Sequence, residues 1–346
     1  MDIGRYMELC LSHPEHGYYV TRDPFGVAGD FTTAPEISQL FGEMVGAWLA
    51  DLWIKLGSPT EFLLVECGPG RGTLMADILR STKNVPGFHE AARIYLMEMS
   101  PVLKDIQKQK LEAYDTRWID DLSQLPPLLP VLLIANEFLD ALPIRQLIKA
   151  NDNFQERGVS LMGNDTFEVT EITAEATILE TVPAKILKAA DEGVFETSPV
   201  LNQYIKSVDI LLKKQKGAAL FVDYGHARSS LGETLQVVKS HQFADLFDTP
   251  GSCDITAHVD FENVANIALA DDLAVHGPVT QGAFLRALGI EHRAERLWAV
   301  ANEAQKESIS TGLKRLIDTE QMGSLFKVLA LCHDPLIRPE GFDEDL

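Results

Sequence analysis

The chain has 346 residues, 46% of them hydrophobic, which is enough for a large buried core in two domains or in one with insertions. Its 51 acidic against 30 basic residues give a formal charge of −21, which argues against a nucleic-acid or anionic-membrane partner and favours a cationic one. Cys10, Cys67, Cys253 and Cys332 lie far apart with no C-x-x-C pair, so neither a zinc site nor a disulfide framework follows and a reducing compartment is expected.

The N-terminus, MDIGRYMELC, has neither the apolar core of a signal peptide nor the Arg/Ser bias of a transit peptide. No apolar run anywhere approaches the ~20 residues a membrane helix needs. Next comes HPEHGYYVTRDPFGVAGDFTTAPEISQLFG (13–42), dense in glycine, proline and aromatics. It predicts a structured lid or pocket wall, within a segment 1–60 that precedes the core. Its candidate binding residues are Tyr18, Tyr19, Asp30, Phe31, Thr32, Thr33, Glu36, Ser38 and Gln39. His13 and His16 have H-x-x-H spacing but no third ligand nearby, so no metal is expected.

Strand–helix alternation begins at residue 61. EFLLVEC is a short apolar run ending at glycines, as a buried parallel strand does. The loop after it reads Gly68-Pro69-Gly70-Arg71-Gly72. A phosphate loop of the Walker type would need a lysine, and a dinucleotide fingerprint would place its third glycine one residue later. Glu66, just before the loop, suits an ammonium group and disfavours a pyrophosphate. S-adenosylmethionine carries an amino-acid end and no phosphate, so it is the expected ligand. TLMADILRS then reads as a helix, RIYLMEM (93–99) as a second strand, and residues 100–114 as a second helix with Ser100 as cap and Pro101 first. Glu98, at that strand's end, is placed to accept ribose hydroxyls. Asp121 is either an adenine contact or a helix cap.

The next strand, 131–136, runs into Asn136, Glu137 and Asp140 of ANEFLDALP. Two carboxylates three residues apart could clamp one guanidinium, whose planar fork of donors matches them; acids at a helix start for its dipole are the alternative. Residues 144–217 separate this strand from AALFVDYG (218–225), far more than a crossover needs, and include alternating strand-like runs. They are read as an inserted subdomain beside the site. The core resumes over 218–346, with Asp223 and Tyr224 ending that strand, and with 260–271 and 281–319 helical, 273–279 a strand and 324–333 a closing antiparallel edge strand. His258, in GSCDITAHVDF, is a general base or a helix-entry residue. The architecture is thus α/β, a doubly wound sheet with a first core part over 61–143 and ligands at the strands' C-terminal ends.

Together, HPEHGYY…RDPFGVAGDFTTAPEISQLFGE, VECGPGRGTL, NEFLDALP, FVDYGH, DITAHVDF and MGSLFKVLA resemble the MidA-like family, nearly end to end. The resemblance implies a Rossmann-like, seven-stranded class I methyltransferase sheet with an inserted α+β subdomain and an N-terminal lid. It implies S-adenosylmethionine as donor, S-adenosylhomocysteine as product, no metal, and symmetric dimethylation of an arginine in the 49-kDa-type subunit of respiratory complex I. The donor-loop match falls on Glu66, Gly68, Pro69, Gly70, Arg71 and Gly72, with Glu98 following. The post-strand match falls on Glu137, Phe138, Asp140 and Pro143. The amino-terminal match covers Gly17, Tyr18, Tyr19, Gly29, Asp30, Phe31, Pro35, Glu36, Ser38 and Gln39. Two departures stand out: relatives carry a further stretch before Tyr6, and Asn136 replaces a histidine. A small-molecule methyltransferase and a donor-binding assembly factor without catalysis remain alternatives. Oligomeric state is open, a homodimer included. The compartment is the cytoplasm for a bacterial chain and the mitochondrial matrix for a processed eukaryotic one.

Overall fold

The computed structural model describes residues 1–26, 32–151, 153–163, 166–189, 192–239 and 241–342. Its central sheet holds β1 (Phe62–Cys67), β2 (Ala92–Met97), β3 (Thr116–Ile119), β4 (Val131–Asn136), β5 (Gly217–His226), β6 (Ala274–Thr280) and β7 (Phe326–Cys332). The order across the sheet is β6-β7-β5-β4-β1-β2-β3, with Val259–Asp260 adding a short parallel pairing at the end of β5. This is the seven-stranded order that the resemblance implies. Strands β1 to β5 run parallel. β1 and β4 are buried at every residue because helices cover both faces, which is why they read as unbroken apolar runs.

β7 corrects one expectation. It is antiparallel, but it lies between β5 and β6 and pairs with both, leaving β6 as the edge. The cause is in its composition: Val328 to Cys332 contains no polar residue and is wholly buried, as a strand covered on both faces requires.

The main helices are α1 (Ile3–Ser12), α2 (Gln39–Lys55), α3 (Thr73–Thr82), α4 (Pro101–Lys110), α5 (Pro199–Gln215), α6 (Phe261–Ala270) and α7 (Glu303–Ile317). Ser100 caps α4 by accepting the Leu103 N–H at 3.3 Å, with Pro101 following where its missing N–H costs nothing. One face of the sheet is covered by α2, α3 and the C-terminal helices, whose Leu40, Trp48, Ile78, Phe284 and Leu316 share a core. The other is covered by α5 and α6, through Leu201, Ile205, Val208, Phe261 and Val264. Packing therefore joins α2 and α5 to the core, although the sequence grouped α2 with the lid and α5 with the insertion. The 281–319 stretch is three helices, interrupted at Gly289 (φ +84°) and again before the Asn302 capping box of α7.

Two smaller sheets sit beside the crevice. One is antiparallel, in the order 167–172, 153–161, 145–150, 193–197; the other joins 242–243, 236–239 and 254–256. α1 packs Ile3, Tyr6, Met7 and Leu11 against Val159 of the first and Val237 and Ile255 of the second. Strand order reverses between β1 and β4, so the loops leaving them diverge and open the crevice there.

Candidate active site

The loop after β1 is shaped by its glycines. Gly68, Gly70 and Gly72 have φ of +65°, +53° and +76°, a region that side chains disfavour. A Cβ on Gly68 would stand 2.7 Å from the Phe138 ring, and one on Gly70 3.1 Å from Phe25. Conformation and space therefore both demand glycine. Glu66, at the end of β1, is 3% exposed, and among the described residues its Oε2 has no hydrogen-bond partner. Burial pushes its pKa up to about 8, which an arriving cation would reverse. Glu66, Pro69, Arg71 and Asn136 line a recess of about 30 Å³ that shares Gly68, Gly70 and Glu137 with the wall of a larger cavity.

Glu98 follows β2 and accepts the Ser100 N–H at 2.8 Å and Gln107 Nε2 at 3.0 Å; burial raises its pKa. Gln107 also donates to Gly70 O at 2.6 Å and accepts Trp118 Nε1 at 2.7 Å, tying the loop, the acidic residue and β3 together. Sequence reasoning missed Gln107. The available clue is a glutamine four residues after Leu103, at an apolar-face position of α4. Asp121 accepts the Ser123 N–H at 2.8 Å as cap of the turn Leu122–Gln124 and does not line the cavity; its neighbour Asp120 does.

The N-terminal segment is laced onto this loop. Arg71 Nε donates to Asp23 Oδ2 at 2.8 Å, the Thr73 hydroxyl donates to Glu36, and the Ala34 N–H donates to Glu137 Oε1 at 2.8 Å. Thr32 lines the cavity and Thr33 the recess. Ser38 instead caps α2, accepting the Leu40 N–H at 3.3 Å. Tyr18 is 0% exposed and packs in the core around α1, away from the cavity wall that its neighbour Tyr19 helps form. Asp30 and Phe31 lie outside the described residues.

At the end of β4, Glu137 has φ +50°, and Asn136 Nδ2 donates to its Oε1 at 3.1 Å. Burial, and then the Asp140 charge, push Glu137 up to a pKa of about 7. Burial likewise raises Asp140 to about 6, beside the Tyr224 hydroxyl. Asn136 Oδ1 and Asp140 Oδ1 are buried and unpartnered among the described residues. Nearby, the Tyr19 hydroxyl donates to Asp254 Oδ1 at 2.7 Å. The His258 ring stands edge-on to Tyr224 with centroids 5.4 Å apart; burial, then His226, lower its pKa and keep it neutral.

These groups face one cavity of about 640 Å³, a size usual for small-molecule sites. Gly68, Gly70, Met97, Glu98 and Asp120 form one end, and Tyr19, Asp140, Tyr224, Asp254 and His258 the other. S-adenosylmethionine fits the first end on two observations: the orphaned, buried Glu66 carboxyl suits its ammonium, and Gly68 and Gly70 let the loop's backbone line the cavity where side chains would collide with Phe138 and Phe25. Among the described residues no cluster of three His, Cys, Asp or Glu side chains could hold a metal ion.

The profile of a family of S-adenosyl-L-methionine-dependent methyltransferases matches residues 44–279. The mitochondrial protein arginine methyltransferase NDUFAF7 homolog of Drosophila melanogaster is 34% identical over 359 residues, covering 96% of this chain and 81% of that protein. Human NDUFAF7, named in the same way, is 32% identical over 358 residues, covering 96% and 80%. Among solved structures, a COG1565 superfamily member from Burkholderia thailandensis, bound to S-adenosyl-homocysteine, is 28% identical with a TM-score of 0.81, covering 100% of this chain and 89% of that one. With a profile spanning most of its length and relatives that match it nearly end to end, the chain belongs to this family of S-adenosyl-L-methionine-dependent methyltransferases.

Proposed function

We propose that this methyltransferase modifies an arginine side chain of a protein, and that the target is the 49-kDa-type subunit of respiratory complex I, dimethylated symmetrically. One observation carries the reading: Glu137 and Asp140, both with raised pKa, line one cavity close enough for the Asp140 charge to act on Glu137, and Asp140 keeps an unpartnered oxygen among the described residues. The relatives named arginine methyltransferases support it. Buried carboxyls crowded together hold protons near neutrality even with the Arg315 charge in the same cavity; a guanidinium, always charged, would displace them and satisfy both. Bound S-adenosylmethionine supplies an electrophilic methyl group. Glu137 and Asp140 hold the guanidinium fork, localise its charge on the nitrogens not being modified, and offer Asp140 Oδ1 to the proton that leaves. Alignment of this kind is worth up to ~7–11 kcal/mol in ideal cases. The neutral His258 and the Tyr224 ring wall the pocket beside them.

This reading puts the protein where complex I is built, the matrix in a eukaryote or the cytoplasm in a bacterium; relatives named mitochondrial favour the first. Mass spectrometry of the 49-kDa-type subunit, from cells with and without the gene, tests it. A dimethylarginine that disappears with the gene supports the reading. An unchanged subunit, with purified protein still binding S-adenosylmethionine, overturns it in favour of a small-molecule acceptor.

A further inference from the structure

Asp223, at the end of β5, is 1% exposed and lies behind the cavity wall. Its Oδ2 accepts three successive backbone N–H groups, from Phe138 at 3.1 Å, Leu139 at 2.9 Å and Asp140 at 3.2 Å. Its Oδ1 accepts the Tyr224 N–H at 2.9 Å. N–H groups converging on one oxygen form a concave anion site, the arrangement backbone loops present to phosphate, and here it is filled from within the protein. The turn that forms it is strained at its start, where Glu137 adopts φ +50° and donates its own N–H to Val222 O at 2.9 Å. All N–H groups from Glu137 to Asp140 are therefore anchored on β5. Burial and the Asp140 and Glu137 charges raise the Asp223 pKa, and the backbone N–H groups oppose them by favouring its charged form, which holds such donors more firmly than a neutral one.

We propose that Asp223 is a positioning residue for methyl transfer: through three backbone N–H groups it holds the turn 137–140 so that the Glu137 and Asp140 carboxyls face the cavity together. The proposal rests on the reading of those two residues as a guanidinium clamp. It explains why a carboxylate that touches no ligand is buried beside two others. It also separates the roles of adjacent residues: Tyr224 faces the cavity, whereas Asp223 acts through the main chain.

The test uses the full chain, S-adenosylmethionine and the recombinant 49-kDa-type subunit as acceptor. Asp223→Asn is expected to lower kcat/KM by about 10- to 100-fold, the effect of a small misplacement of the reacting groups. S-adenosylhomocysteine affinity and binding stoichiometry should change far less than kcat/KM, since the hydrogen bonds of Asp223 go to the turn and to Tyr224 and not to the glycine loop, which meets the turn at the Phe138 ring. A kcat/KM within about twofold of wild type overturns the proposal. So does a loss matched by an equal loss of S-adenosylhomocysteine sites, which marks a purely structural role. Should the variant not fold, hydrogen exchange on the wild type decides: the amides of Phe138, Leu139 and Asp140 are expected to be protected like those of β4 and β5, and exchange at loop rates overturns the proposal. A wild type that methylates no arginine in the subunit defeats the functional reading, while the exchange experiment still tests Asp223.

Discussion

The two ends of the cavity are built in opposite ways. The end proposed for the donor comes from one stretch of chain, Glu66 to Asp120, in which the conformation of a glycine-rich backbone does the shaping. The acceptor end gathers Tyr19, Glu137, Asp140, Tyr224, Asp254 and His258 from distant parts of the chain, and side-chain charge does the shaping. A local backbone device and a long-range charge cluster fail differently, so substitutions should separate them.

The largest effect is expected at the acceptor end. Glu137→Gln keeps an oxygen for the Ala34 N–H but removes one charge from the clamp, a loss of about 2–5 kcal/mol or roughly 30- to 5,000-fold in kcat/KM. Calorimetry should find S-adenosylhomocysteine binding unchanged; a parallel loss of binding would erase the division. Gly68→Ala should do the reverse. Forcing a side chain into φ +65° against the Phe138 ring costs up to about 3 kcal/mol, so S-adenosylhomocysteine should bind roughly 100-fold more weakly.

A third effect is seen in stability. The Glu66 pKa rises from 4.5 unfolded to about 8 folded, so its neutral form is favoured in the ligand-free protein. Its contribution is fully present below pH 4.5 and is lost as pH rises towards about 8. Denaturant titrations at pH 5 and 8 should show a difference on the order of a few kcal/mol, less in Glu66→Gln, and saturating S-adenosylmethionine should reduce it. An identical slope in Glu66→Gln would place the titration elsewhere. The smallest effect is expected for Asp121→Ala. Losing a cap costs about 1 kcal/mol in a thermal melt, with donor affinity unchanged; a large fall in affinity would restore Asp121 as an adenine contact.

The contrast also explains what could be read from sequence. The glycine loop and the strand before it are local patterns, so Glu66, the glycines and Glu98 could be proposed from spacing alone, and they lie close together in the fold. Neighbouring residues on irregular backbone were harder. Tyr18 and Tyr19 open a single helical turn, and nothing in their order reveals that the first enters a core and the second faces the cavity. Asp120 and Asp121 differ in the same way, because the second is taken by a backbone N–H. Gln107 looked like one of several polar residues in α4 until packing turned it inward. The direction of β7 was legible but its place was not, since an apolar run does not say which two strands will flank it.

That place governs how the chain folds. β5 pairs on one side with β4 and on the other with β7, where Ala218 meets Cys332 and Tyr224 meets Phe326. The pairing closes a loop of about a hundred residues, and loop closure of that length slows folding. During synthesis β5 emerges with one edge bare and waits for a partner about a hundred residues further along the chain. Until then it offers a long apolar edge to any neighbouring chain, so this enzyme is expected to need a chaperone's shelter most between the emergence of β5 and that of β7.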